Sequence, residues 1–201
     1  MLVMRVTEER LRDAAGVMAR AFLNDPIERW ALGGTAQDCE DVEALEGRMT
    51  RYFTLVNQLV VARGMMWETE DGCGACVWIS PEAASDYAEH DVAIRPRLAA
   101  LTFDEASRYE SMWDWIDGRI PTEPLWVLDL IGVEPKAQGR GIGSALIEHG
   151  LAMARAAGQP AFLLAGDPRN VAYYEGFGFR TVEDADAPFG GPHIWFMRRE
   201  P

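Results

Sequence analysis

Apolar and polar positions change their period several times along this chain, and each change marks an element. Leu2, Met4 and Val6 alternate with other residues, as a short strand does. From Leu11 the period lengthens, and Leu11, Ala14, Ala15, Met18 and Phe22 fall on one helical face. Thr7 stands where a helix cap would, with Glu8 and Glu9 near the positive end of the helix dipole. Asn24-Asp25-Pro26 ends that helix, and Gly33-Gly34-Thr35 makes a second break. Val42, Leu45, Met49, Tyr52, Phe53, Val56 and Val60 predict another amphipathic helix, closed by Gly64. Residues 65–70 and 75–80 then read as an antiparallel hairpin across Asp71-Gly72, ended by Pro81.

Residues 82–120 turn helical again. Thr102-Phe-Asp-Glu105 has capping-box spacing, and Phe103, Ala106, Tyr109, Trp113 and Ile116 repeat at helical intervals. This segment interrupts a succession of strands, so it is expected either as a helical insertion over the core or as part of a substrate lid. A buried strand follows from Leu125 to Val133, then a glycine loop, then a helix through Leu146, Leu151 and Ala154 to Gly158. Ala161 to Leu164 reads as a buried parallel strand. Asp167-Pro168 opens a short helix, and Phe179–Val182 and Ile194–Met197 finish as strands.

Composition narrows the function classes. The chain has 201 residues, enough for one domain with a sizeable core, and a net charge of −13. That charge disfavours nucleic acid and anionic membranes, and suits cationic small molecules. No apolar run is long enough to cross a membrane, and the first residues lack a secretion signal. Three cysteines do not make a disulfide framework, so a cytoplasmic protein is expected, as a monomer or homodimer. Cys73 and Cys76 straddle the second hairpin strand, where positions three apart point to opposite faces. No second C-x-x-C or histidine pair completes a zinc site, so no metal is expected.

The chemistry centres on Gln138-Gly-Arg-Gly-Ile-Gly143. The dinucleotide fingerprint needs G-x-G-x-x-G, and the nucleotide-triphosphate loop ends in G-K-[ST]; neither is present. What remains is a loop whose glycines let backbone N–H groups approach an anion, at the start of a helix. That suits a pyrophosphate.

Gln138-x-x-Gly141-x-Gly143 after a strand, followed by Pro168-Arg-Asn-Val-Ala-Tyr-Tyr-Glu-Gly-Phe-Gly-Phe179, resembles the two motifs of the GNAT superfamily of N-acetyltransferases. The stretches Glu123–Trp126, Ile131–Pro135 and Trp195–Arg199 are similar to the puromycin N-acetyltransferase branch and its actinobacterial relatives. The resemblance implies a single domain over 1–201 with a mixed α/β fold: a twisted, mixed central sheet of about seven strands, with a splayed parallel pair and flanking helices. It implies acetyl-CoA as cofactor and a small-molecule amine as acceptor. Backbone groups of Ile131 and Val133 are then expected to bind the acetyl and pantetheine groups. Gln138, Gly139, Arg140, Gly141, Ile142, Gly143 and Ser144 are expected to cradle the pyrophosphate, and Asn170 to bond the pantetheine arm. Tyr174 matches the tyrosine that protonates the leaving thiolate.

Some members of the superfamily carry a glutamate on the core strand near position 127, where this chain has Val127. Asp129 is the nearest carboxylate on that strand, and is expected either to take the amine's proton through water or to contact a cation. Phe22, Asp25 and Trp30, with Glu28, Trp113 and the 184–192 loop, are expected to form an acidic, aromatic acceptor pocket. Peptide or protein acetylation, and an idle acyl-CoA-binding module, are the competing functions.

Overall fold

The computed structural model describes residues 1–33, 42–101 and 106–201. Its helices are α1 (Leu11–Phe22), α2 (Pro26–Gly33), α3 (Val42–Val56), α4 (Gln58–Ala62), α5 (Ala84–Ala99), α6 (Ala106–Asp117), α7 (Ile142–Ala157) and α8 (Pro168–Glu175). Its strands are β1 (Val3–Arg5), β2 (Met66–Thr69), β3 (Gly74–Ile79), β4 (Trp126–Val133), β5 (Ala161–Ala165), β6 (Arg180–Asp186) and β7 (His193–Arg199). The capping box at 102–105 and the break at Gly34-Thr35 lie outside the described residues.

One seven-stranded sheet runs in the order β1-β2-β3-β4-β5-β7-β6. Its described pairings are antiparallel except β4 with β5. Glycines fix which helix covers which face. A methyl on Gly150 of α7 would lie 2.0 Å from the Trp78 ring, and one on Gly74 of β3 would lie 2.4 Å from Ile142. So α7 packs directly on the β3 face that carries Gly74, Cys76 and Trp78. Gly132, opposite Ala75, instead faces Met18 and Ala21 of α1, on the other side of the sheet. The core joins both faces through Trp78, Phe53, Phe162, Phe179 and Phe196, all fully buried.

Two departures from the sequence expectations shape the site. Asn24-Asp25-Pro26 does stop α1, but it also starts α2. Asp25 Oδ1 accepts from the Ile27 N–H at 2.9 Å and the Glu28 N–H at 3.2 Å, and Pro26 opens the first turn without needing a donor. The helix predicted over 42–60 breaks at Asn57, whose side chain bonds the Phe53 carbonyl at 2.8 Å. Elsewhere the hairpin, β4, α7, β5 and α8 stand close to their predicted places. Cys76 is fully buried on β3 and Cys73 half-buried in the preceding turn, both as free thiols.

Candidate active site

The site begins with an interruption in the sheet. β4 and β5 pair in parallel at Trp126–Ala161, Val127–Phe162 and Leu128–Leu163, and there the pairing stops. From Leu130 to Val133, β4 keeps its β3 partner while β5 continues only against β7. One edge of the β4 backbone, including Ile131 and Val133, therefore faces a gap. β4 also carries a bulge: Val77 pairs with Leu130 and Trp78 with Leu128, leaving Asp129 as the extra residue. The bulge re-aims Asp129 and breaks the simple alternation along the strand.

At the far end of β4 lies the glycine loop. Gly139 (φ +75°) and Gly141 (φ +82°) hold left-handed conformations, which L side chains rarely adopt. No atom lies within 4 Å of a methyl built on either one, so the backbone there is open to a ligand. The first N–H groups of α7, at Ile142, Gly143 and Ser144, have no carbonyl of a preceding turn to bond. Together with the helix dipole they form an anion cradle that fits a pyrophosphate. Arg140 is exposed at its rim. Gln138 points elsewhere: its amide donates to the Val133 carbonyl at 3.2 Å and ties the loop to the strand end.

Across the gap, α8 presents three polar side chains. Asp167 caps the helix by accepting from the Arg169 N–H at 2.8 Å, with Pro168 in the first turn. Asn170 and Tyr174 line a cavity, while Tyr173, which the sequence reading did not single out, turns to the glycine loop. Its hydroxyl lies 3.1 Å from Ser144 Oγ, bridging α8 to the start of α7. Tyr174 is only 8% exposed. Burial, then the nearby Asp25 carboxylate and Tyr173, raise its phenol above the ordinary value, so it stays protonated. Gly176 keeps a helical conformation, and the Tyr174 carbonyl accepts from Phe177 and Phe179, so the turn below the phenol is firm.

The cavity has a volume of about 420 Å³. Phe22, Val127, Leu128, Phe162, Leu164 and Trp113 form much of its apolar wall. Among the described residues, five carboxylates also line it, from Asp25, Glu28, Asp91, Asp117 and Asp129, and no lysine, arginine or histidine does. Among the described residues no cluster of these groups is placed to hold a metal ion. Asp129 accepts a hydrogen bond from the Tyr87 hydroxyl at 2.8 Å. Its carboxyl is raised to about 6 by burial, a shift the Tyr87 bond opposes and Asp91 and Asp117 reinforce. Burial also raises Asp25, against the two backbone N–H groups that bond it.

Of the expected site residues, Phe22, Asp25, Asp129, Ile131, Asn170 and Tyr174 meet in this one cavity. Val133 and the 138–144 loop lie outside it, at the cradle. Trp30 and the 184–192 loop are not in its lining. Positions 28 and 30 lie about 200° apart around a helix, so with Glu28 facing the cavity Trp30 packs near Gly191 instead. Tyr87 and the Arg95–Asp117 ion pair were missed because the partners are distant in sequence, and the Arg95–Asp91 pair, four residues apart on α5, was missed although its spacing was legible.

The fold has counterparts among known proteins. Residues 106–179 match the model of the acetyltransferase (GNAT) family. Over 190 residues the chain is 25% identical to an uncharacterized N-acetyltransferase of Schizosaccharomyces pombe, covering 89% of this chain and 74% of that protein. The solved structure of histone acetyltransferase HPA2 and related acetyltransferase from Corynebacterium glutamicum superposes with a TM-score of 0.70 at 22% identity, over 99% of this chain and 95% of that one. PaiA N-acetyltransferase from Thermoplasma acidophilum, in complex with coenzyme A, superposes with a TM-score of 0.56 at 13% identity, over 100% of this chain and 98% of that one. The protein has the mixed α/β GNAT acetyltransferase fold. The segment that matches the family model runs from α6 through α8, across the strand, loop and helix that build the cradle.

Proposed function

We propose that the protein is an acetyl-CoA-dependent N-acetyltransferase acting on the primary amine of a small, cationic molecule. The observation that carries this reading is one strand, β4, with a phosphate cradle at its end and an acidic cavity beside its unpaired edge. A thioester held along that edge would lie between the two. Backbone N–H groups near Ile131 would then stabilise the charge that builds on its carbonyl oxygen. Asn170 would hold the pantetheine arm from the α8 side. The amine nitrogen forms a bond to the carbonyl carbon, and the C–S bond breaks with its electrons on sulfur. Tyr174 gives sulfur a proton and regains one from solvent as the nitrogen sheds its own. Raised in the empty cavity, the phenol becomes a better donor when a bound cation offsets the Asp25 field.

Apolar walls with carboxylates among them suit an amine with an aromatic or bulky body. The similarity of Glu123–Trp126 and Trp195–Arg199 to the puromycin N-acetyltransferase branch extends this to an aminonucleoside-like acceptor. The whole chain acts as one cytoplasmic domain, with α5 and α6 of the 82–120 insertion lining the pocket, and needs neither nucleic acid nor membrane.

Free-thiol release from acetyl-CoA tests the reading against a panel of primary amines, alcohols and peptides with free N-termini. Release with cationic primary amines, lost in Tyr174→Phe, is expected. Release with peptides alone would make the acceptor a protein. Tight acetyl-CoA binding with no release for any acceptor would leave an acyl-CoA-binding module.

A further inference from the structure

Four of the five carboxylates lining the cavity are already engaged. Asp129 accepts from Tyr87, Asp25 from two backbone N–H groups, and Asp91 and Asp117 pair with Arg95. Glu28 is different. Its side chain is in the first turn of α2, the residue is 3% exposed, and its Oε2 has no hydrogen-bond partner. A buried carboxyl oxygen without a partner is costly, and a native site that keeps one calls for a reason. The other titratable groups described in the cavity lining are acidic or phenolic: Asp25 before α2, Tyr52 on α3, Tyr87 and Asp91 on α5, Asp117 on α6, Asp129 on β4 and Tyr174 on α8. Among the described lining residues no basic side chain neutralises it. The partner missing from this position is a cation that comes with the ligand.

We propose that Glu28, and not Asp129, receives the acceptor's ammonium group and takes its proton before attack. The proposal rests on the acetyl-transfer reading and adds to it the residue that frees the amine. One N–H bond of the ammonium breaks, and an O–H bond forms at Glu28 Oε2. The nitrogen keeps the electron pair with which it attacks the thioester carbon, and Glu28 releases its proton to solvent after the product leaves. Burial, with Asp25 and Asp129 nearby, holds the Glu28 carboxyl well above the usual range, the direction that suits a base working near neutral pH. Asp129, held by Tyr87, keeps the role of a second cation contact.

The test uses the full chain and its Glu28→Gln, Glu28→Asp and Asp129→Asn variants, checked for thermal unfolding. Calorimetry with phenethylammonium and with phenethyl alcohol reads cation preference without catalysis. The wild type should prefer the cation about tenfold or more, Glu28→Gln should lose that preference, and Asp129→Asn should keep most of it. For an amine that is turned over, Glu28→Gln should lower kcat by about 10²–10⁴ and remove the acidic limb of its pH profile. The KM for acetyl-CoA should not change, and Glu28→Asp should recover part of the rate. Equal affinity of the wild type for the two probes, or a preference that survives in Glu28→Gln, would overturn the proposal. So would an unimpaired rate in Glu28→Gln beside a lost rate in Asp129→Asn. Cation binding that depends on Glu28 without any thiol release would refute acetyl transfer, and the proton-acceptor role with it, leaving a cation-binding cavity. Thiol release unaffected by Glu28→Gln would refute the proposal alone.

Discussion

The two ends of β4 are built in opposite ways. The cradle at its C-terminal end comes from one continuous segment: the strand, the glycine loop and the first turn of α7. Its working groups are backbone N–H donors, and its requirement is space, met by glycines at 139 and 141. The cavity beside Asp129–Ile131 draws instead on α1, α2, α3, α5, α6, β3, β4, β5 and α8. Its working groups are side chains whose meaning depends on partners far away in sequence. A contiguous backbone site can be shared by proteins of very different sequence, whereas an assembled side-chain site can differ between them. The cradle segment accordingly falls within the family match, and the carboxylates of α2 and α5 fall before it.

Changes at one end should therefore leave the other intact. Tyr174→Phe should have the largest effect, lowering kcat by about 10²–10⁴ while coenzyme A affinity stays the same. Steady-state kinetics and calorimetry on one preparation would show this; a matching loss of coenzyme A binding would mean that the two ends are coupled. Gly150→Ala should come next. Its methyl would meet the Trp78 ring at 2.0 Å, so α7 must shift on the sheet, at a cost of about 1–3 kcal/mol in denaturant unfolding. Unchanged stability would contradict the close helix–sheet contact. Gly141→Ala forces a side chain into φ +82°, which costs about 1–2 kcal/mol. Coenzyme A should bind more weakly by up to about tenfold, with the acceptor preference unaltered. The smallest effect concerns Asp129. The Tyr87 hydroxyl bonds the charged carboxylate and so lowers a pKa that burial has raised to about 6. In Tyr87→Phe this carboxyl should titrate higher still, and nuclear magnetic resonance of the aspartate carboxyl carbons would read the shift. A downward shift would remove the Tyr87 bond from the account.

The same contrast explains what could be read from the chain beforehand. β4, the loop, α7 and α8 were legible because period, glycine spacing and caps act over a few neighbouring residues. Asn170 and Tyr174 were found in the same way, from a local motif. The α2 helix was not legible, since Asn24-Asp25-Pro26 reads first as a stop, although Asp25 capping Ile27 and Glu28 is also a start. Trp30 was expected in the pocket, but helix geometry turns it away once Glu28 faces in. The bulge at Asp129 could not be read from the residues of β4 alone, because it depends on where β3 pairs. Nor could the special state of Glu28 be read, because it lies in what its neighbours fail to offer it.

Transfer itself is the central claim, and an acetyl-CoA labelled at the thioester carbonyl carbon follows it directly. Incubated with the protein and a cationic primary amine, the label should move from the thioester resonance to that of an amide on the amine. A label that stays in the thioester with coenzyme A seated at the α7 cradle, for every amine offered, would contradict the account.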